Sequence, residues 1–167
     1  MSEVLTKYKS FTNWLLQLKQ MPEEYWLVPI KDGKWSVGEI VAHIKAWDVF
    51  VWDERVAYFV SGSEIPSKKI NVEEINSNAA NEAKSGISKN QLLDEVIECR
   101  QVVAKKLGEV PSFVWQEKIE MGSKMITLCE YIGGLVEHDE HHRIQIEEFL
   151  TAKGIDVLKQ EVLTDRK

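Results

Sequence analysis

Cysteine, basic charge and long apolar runs are all scarce in this chain of 167 residues. Its two cysteines, Cys99 and Cys129, have no CxxC partner. This argues against a disulfide framework or a thiolate zinc site, so we expect two buried free thiols. No window approaches the roughly 18–20 uncharged apolar residues of a membrane span, and the first residues, MSEVLTKYKSF, contain no apolar signal core. We therefore expect a cytoplasmic protein without a membrane partner.

Basic residues are outnumbered by acidic ones. Lysine and arginine total 21 against 27 aspartate and glutamate residues, which gives a formal net charge of −6. A protein that binds DNA or RNA normally presents a basic face to the phosphates, so no nucleic-acid partner is expected. With 44% hydrophobic and 29% charged residues, the composition is that of a globular protein, and the length predicts a single domain over residues 1–167.

Helical periodicity and capping signals predict four long helices. Two of the helices begin with the S/T-x-x-E spacing of a capping box, at Ser36 and at Thr127. The predicted helices span residues 2–20, 36–60, 88–107 and 127–152.

The connections between these helices carry weaker signals. Residues 71–84 are polar and are expected to form a short helix. Residues 113–125 show no clear period and are expected to be irregular or briefly extended. Few strand signals and no fixed repeat favour an all-α four-helix bundle, and the long segment after the second helix predicts a crossover.

Three of the four histidines lie within five residues of the fourth predicted helix. His138 and His142 are four residues apart, which places both imidazoles on one face of a helix. His43 lies in an apolar stretch of the second helix, whose period points it into the core. Together these three histidines have the ligand count of a metal site that leaves one position for water.

A second interpretation of the histidines needs no metal. The segment EHDEHHR is rich in charge and is also typical of a solvated helix face. His43 is equally compatible with a core histidine that bonds to a backbone carbonyl. Spacing alone does not choose between the two interpretations, because histidines four residues apart are common.

Gly134 and Gln145 continue the stripe of His138 and His142 along the fourth helix. Gly134 has no side chain, so it would leave one side of a bound ion open. Gln145 is expected to orient a histidine ligand.

Two more residues flank the predicted site. His141 lies about 60° around the helix from His138, so it is interpreted as a flanking residue rather than a ligand. Trp47 follows His43 by four residues. It is expected to be either a core residue or an apolar wall beside the metal.

Two segments resemble the DinB-like (DinB/YfiT-like) superfamily of four-helix-bundle metalloproteins, and the likeness covers nearly the whole chain. The segment from Trp35 to His43 is similar to the family's W-S-x-x-E-x-x-x-H pattern. The segment HDEHHRIQI, residues 138–146, is similar to its H-x-x-H-H-x-x-Q-I pattern. This chain has Ile144 where the family often has glycine, and we expect the larger side chain to narrow the space behind the site.

The resemblance implies a fold and a ligand set. The fold is an up-up-down-down bundle with a long crossover after the second helix, commonly a dimer. His43, His138 and His142 would bind a divalent metal, nickel or zinc. The expected partners are therefore a small-molecule substrate and a second copy of the chain.

The resemblance also implies a reaction. Some family members transfer bacillithiol or a related low-molecular-weight thiol to electrophilic small molecules, and we expect this chain to be such a metal-dependent thiol S-transferase. The alternatives are a metal-dependent hydrolase, a non-catalytic bundle that binds a metal or small molecule, and a metal-free helical dimer. No residue is assigned as catalytic.

Overall fold

The structure is a computed structural model, and it describes residues 2–66 and 70–156. These residues form six α-helices and one β-hairpin. The helices are α1 (Ser2–Leu18), α2 (Val37–Val51), α3 (Ala57–Ser61), α4 (Val72–Ala83), α5 (Lys89–Glu109) and α6 (Leu128–Ala152). The hairpin pairs β1 (Lys118–Met121) with β2 (Lys124–Thr127) in antiparallel register.

Side-chain caps fix where the helices of the site begin. The Ser36 hydroxyl accepts a hydrogen bond from the backbone N–H of Glu39, and the Glu39 carboxylate accepts one from the backbone N–H of Ser36. Thr127 and Glu130 form the same reciprocal pair at the start of α6. Both predicted capping boxes are confirmed, and each such cap stabilises its helix by about 1 kcal/mol.

The helix predicted over residues 36–60 is continuous but not uniform. After α2 the backbone makes a π-helical turn at Trp52–Val56 and then continues as α3. The chain turns away at Gly62, which adopts the left-handed conformation with φ +67°. A π turn inserts one extra residue, so it rotates the side chains that it carries relative to a regular helix.

The segment predicted as irregular or briefly extended is the β-hairpin. Its turn contains Gly122 at φ +63°, a conformation that favours glycine. The backbone N–H of Ile65, which follows α3, donates to the Glu120 carbonyl at 3.0 Å. The hairpin therefore attaches the end of α3 to the start of α6.

Contacts near helix ends give the directions of the helices. Lys19 forms an ion pair with Asp94 near the start of α5, and the Leu5 side chain lies beside Gly108 near the end of α5. Helices α1 and α5 are therefore antiparallel.

Helix α2 also runs opposite to α1. The Trp26 ring, beyond the end of α1, lies against Gly38 in the first turn of α2. At the other end, Tyr8 donates a hydrogen bond to Asp48 in the last turns of α2, at 2.7 Å. Since α5 is also antiparallel to α1, the neighbouring helices α2 and α5 are parallel.

The four-helix bundle and the long crossover after the second helix are confirmed. Helix α6 runs opposite to α2, because its His138 shares a cleft with Trp47 and its later His142 shares one with Ile40. In chain order the helices α1, α2, α5 and α6 therefore run up, down, down and up, instead of the expected up-up-down-down. The parallel pair joined by the crossover is α2 and α5, and α4 lies within that crossover.

A buried ionic cluster lies at the centre of the bundle. The Arg100 guanidinium, 1% exposed, pairs with Asp48 at 2.7 Å and with Asp139, and the Tyr8 hydroxyl donates to Asp48. These four residues come from α5, α2, α6 and α1 respectively. We call them the ionic centre, because their contacts fix the four long helices against one another.

Both cysteines are free thiols, but each is only partly buried. Burial raises the pKa of the Cys99 thiol to about 11, so it stays protonated at neutral pH. Within the described part of the chain, no helix is long and apolar enough to cross a membrane.

Candidate metal centre

Helices α2 and α6 bring His43, His138 and His142 together. The Nε2 atoms of His43 and His138 are 3.1 Å apart, and the ligand atoms of all three imidazoles lie within 4.8 Å of one another. His43 and His142 are buried, with 5% and 8% of their surface exposed, and His138 is partly buried. We call these residues the histidine cluster.

A hydrogen bond fixes the proton on His43. The Asn76 Oδ1 atom of α4 lies 2.9 Å from His43 Nδ1 and 3.2 Å from Trp47 Nε1. The Trp47 indole can only donate, so the amide oxygen is the atom that faces both rings. His43 therefore donates through Nδ1, and its Nε2 lone pair points toward His138.

His142 is held in the same way. Its Nδ1 atom lies 2.9 Å from Gln145 Oε1, one turn further along α6. The amide oxygen accepts the Nδ1 proton and leaves the Nε2 lone pair of His142 free. Gln145, which the sequence predicted to orient a histidine ligand, thus holds the ring of His142.

Burial keeps the cluster neutral. It lowers the pKa of His43 to about 3 and that of His142 to about 4, because a charged imidazole is poorly solvated there. Burial also lowers the pKa of His138. The neutral imidazole is the form that binds a metal ion.

The donor set fits a divalent transition metal. Two neutral imidazoles whose Nε2 lone pairs face each other at 3.1 Å repel unless a proton or a cation lies between them. Nitrogen atoms that share one zinc ion at about 2.0–2.1 Å lie within about 4 Å of one another, close to the spacing of this cluster. Imidazoles whose Nδ1 atoms are hydrogen-bonded, as those of His43 and His142 are, are typical ligands of zinc, nickel, copper or iron.

An apolar cleft of about 510 Å³ opens beside the cluster. His43, His138 and Trp47 are among the residues that line it. Gly134 also lines it, and a Cβ atom there would meet nothing within 4 Å. The cleft therefore gives a small molecule access to the histidines. Its other lining residues are Val72, Asn76, Ile126, Glu130, Tyr131 and Leu135.

Two residues singled out in the sequence lie elsewhere. His141 is exposed and lines a groove between α1 and α6 with Lys7 and Phe11. Ile144 lines the same groove and is 45% exposed. The expectation that Ile144 narrows the space behind the histidines is wrong, because residues 142 and 144 point to different sides of α6.

Asn76 was missed by the sequence analysis. It lies 33 residues from His43 in a polar stretch without a motif, and only the packing of α4 on α2 brings the two side chains together. A single asparagine in a polar helix gives no signal of this role.

Known proteins share this architecture. A model of the DinB superfamily matches residues 9–146. The chain belongs to the DinB superfamily. No curated protein sequence matches it significantly.

Two solved structures share the DinB fold of this chain. The first is YfiT from Bacillus subtilis, described as a probable metal-dependent hydrolase with an unusual four-helix bundle topology. It has a TM-score of 0.76 and 17% identity, over 93% of this chain and 88% of YfiT. The second is a mycothiol-dependent maleylpyruvate isomerase, with a TM-score of 0.67 and 13% identity over 86% of this chain. The chain spans only 59% of the isomerase. At these identities the likeness shows the fold alone.

Proposed function

We propose that this DinB superfamily protein is a metal-dependent enzyme in which His43, His138 and His142 hold a divalent zinc or nickel ion. The observation that carries the proposal is the convergence of three neutral imidazoles, two of them with Nδ1 atoms held by side-chain amides. A bound ion of this kind supplies Lewis-acid chemistry and lowers the pKa of a thiol or water.

The protein's own side chains set the conditions for that chemistry. Asn76 and Gln145 fix the ring orientations of His43 and His142. Trp47 and the apolar wall of the cleft exclude water from one side of an incoming substrate. Gly134 leaves the approach open, because no side chain extends from this turn of α6.

The first candidate reaction is the transfer of a low-molecular-weight thiol, of the bacillithiol type, to an electrophilic small molecule. The apolar cleft suits an electrophile with a hydrophobic body, and the isomerase of the same fold is described as mycothiol-dependent. Hydrolysis is the second candidate. YfiT is described as a probable metal-dependent hydrolase, and its match to this chain covers 88% of YfiT, against 59% of the isomerase.

A non-catalytic bundle is less well supported. That alternative expects His141 or a carboxylate to close the remaining coordination position. His141 instead lines the groove between α1 and α6, and no Asp, Glu or Cys in the described residues joins the histidine cluster.

The two reactions can be separated in one assay series. Zinc-loaded and nickel-loaded protein is incubated with 1-chloro-2,4-dinitrobenzene and bacillithiol, cysteine or coenzyme A, and separately with 4-nitrophenyl acetate without a thiol. We expect thiol conjugation that saturates with thiol and is lost in His142→Ala but kept in His141→Ala. Ester hydrolysis without conjugation would favour the hydrolase, and neither reaction with metal-loaded protein would contradict both.

The cytoplasmic location and the homodimer are also proposals, and they rest on the composition and on the family resemblance. Light scattering of the purified protein measures directly whether it is a dimer. A mass of one chain, 19.3 kDa, would contradict the dimer.

A further inference from the structure

The π turn between α2 and α3 buries a second cationic side chain. Arg55 is 8% exposed, and its guanidinium carbon lies 4.7 Å from the centre of the Phe50 ring. Burying an arginine is costly unless its charge meets a carboxylate or another anion. Among the described residues, no carboxylate forms an ion pair with Arg55, in contrast to Arg100.

The hydrogen bonds of Arg55 are also incomplete. One terminal nitrogen donates to the Glu54 backbone carbonyl at 2.5 Å, and the guanidinium interacts with the Tyr131 hydroxyl. A guanidinium has five N–H donors. Three side-chain polar atoms of the described residues are fully buried without a hydrogen-bond partner, and they are the indole nitrogens of Trp14, Trp26 and Trp115. No nitrogen of Arg55 is among them. Any Arg55 nitrogen without a partner must therefore have accessible surface.

The accessible space beside Arg55 adjoins the histidine cleft. Arg55 lines a cavity of about 370 Å³ together with Phe50, Tyr58 and Ile75. Tyr131, which interacts with Arg55, lines the cleft that His43 and His138 also line. Tyr131 precedes His138 by seven residues, so two helical turns, or about 10 Å, separate them along α6.

We propose that Arg55, with the Tyr131 hydroxyl, binds the carboxylate of a substrate whose apolar body lies in the histidine cleft. The substrate class is then a small apolar acid, with its reactive end at His43 and His138 and its carboxylate at the π turn. This deepens the proposed function and rests on it for the chemistry at the histidines.

A carboxylate fits this site better than a phosphate. Glu54 and Glu74 are exposed residues that line the same cavity, and neither forms an ion pair with Arg55. Their negative charge opposes a dianion more strongly than a monoanion. One guanidinium and one hydroxyl supply donors for the two oxygens of a single carboxylate.

The test compares head groups on one apolar chain. Octanoate, octanamide and octylamine are titrated into metal-free protein by calorimetry. We expect octanoate to bind at least about tenfold more tightly than octanamide, since a hydrogen bond to a charged group is stronger than one to a neutral group. Equal affinity of octanoate and octanamide, or tighter binding of octylamine, would overturn the inference without any variant.

Substitutions of Arg55 test whether this residue binds the carboxylate of octanoate. Arg55→Met keeps the apolar stem, and we expect it to weaken octanoate about tenfold while leaving octanamide unchanged. Arg55→Lys should restore part of the loss, and Arg143→Met, on the surface of α6, is the matched control with no expected effect. Equal weakening of octanoate and octanamide in Arg55→Met would mean that Arg55 only supports the fold, and would contradict the inference.

The metal content of the same samples separates the two proposals. Arg55→Met should bind as much zinc as the wild type. If wild-type protein binds no metal but octanoate still depends on Arg55, the acid site stands and the proposed function fails. If metal binds and octanoate does not, only the acid site fails.

Discussion

The ionic centre and the histidine cluster are both buried polar groups to which α2 and α6 contribute residues, yet their partners differ. In the ionic centre, Arg100 meets two carboxylates and Asp48 also accepts from Tyr8, so protein groups supply the opposite charge and the donors. In the histidine cluster, the Nε2 atoms of His43 and His138 lie 3.1 Å apart, so a proton or a cation must lie between them, and no Asp, Glu or Cys of the described residues joins the three imidazoles. The ionic centre, whose charges are paired within the protein, is structural, whereas the histidine cluster offers neutral imidazole nitrogens to a ligand.

The two groups are adjacent along both helices. Asp48 lies five residues after His43, and Asp139 directly follows His138. The ionic centre therefore fixes the rotation and depth of the helices that carry the histidines. Removing one partner from it should damage the fold, whereas removing a histidine should damage mainly the site.

The largest effect is expected from Arg100→Met. It leaves Asp48 and Asp139 buried without their counter-ion, which should lower the free energy of unfolding by about 3–5 kcal/mol. Urea denaturation followed by circular dichroism measures this. Arg143→Met is the control, because Arg143 pairs with Glu140 and Glu147 at the surface and its loss should cost at most about 1 kcal/mol. Equal costs for the two variants would contradict the structural role of the ionic centre.

A smaller effect is expected from Asn76→Leu. The variant removes the acceptor that orients His43, and loss of such a partner typically lowers metal affinity by about 10–100-fold. Zinc affinity is measured by competition with a chromophoric chelator. Asn78→Leu, on an exposed face of α4, should leave zinc affinity unchanged. Unchanged affinity in Asn76→Leu would show that the hydrogen bond does not support the site.

Acid should destabilise the metal-free protein through the histidine cluster. His43 and His142 have folded pKa values of about 3 and about 4. In the unfolded chain both lie near 6.5, so below that pH the unfolded state binds more protons. The stability that these two histidines contribute is complete above pH 6.5, and it is lost as the pH falls toward their pKa values in the folded state.

Two such histidines predict that the free energy of unfolding falls by about 2 kcal/mol between pH 6.5 and pH 5.5. Urea denaturation of chelator-treated protein at both pH values measures this loss of stability. His43→Gln should show about half of the loss. A loss of the same size in His43→Gln and in the wild type would assign the pH dependence to other groups.

The smallest effect is expected from Gly134→Ala. A Cβ atom there meets nothing within 4 Å, and alanine favours a helix over glycine by about 1 kcal/mol, so stability should rise by at most that amount. Gly38→Ala is the contrast, because its Cβ would lie 2.9 Å from the Trp26 ring. Thermal unfolding of both variants compares them. A destabilised Gly134→Ala would mean that the cleft is more tightly packed than the structure shows.

Local signals predicted the helices well. Capping boxes at Ser36 and Thr127 act over four residues, so they are visible in sequence. The π turn and the directions of the helices depend on packing between distant segments, and no local pattern encodes them. The three histidines were found because two share a helical stripe and the third lies in a motif.

The surroundings of the histidines were harder to predict. Gln145 is three residues from His142, so helical geometry shows the pair. Asn76 and Arg55 reach their positions through α4 packing and through the π turn, and neither belongs to a motif. Residues that orient ligands or bind substrates from separate helices need the tertiary structure.

Metal content per chain tests the central claim most directly. Untagged wild-type protein is incubated with zinc, dialysed and analysed for bound metal beside His43→Ala, His142→Ala and His141→Ala. We predict about one equivalent in the wild type and in His141→Ala, and none in the other two variants. No bound metal in the folded wild type, or a full equivalent in His142→Ala, would contradict the assignment of the histidine cluster as a metal centre.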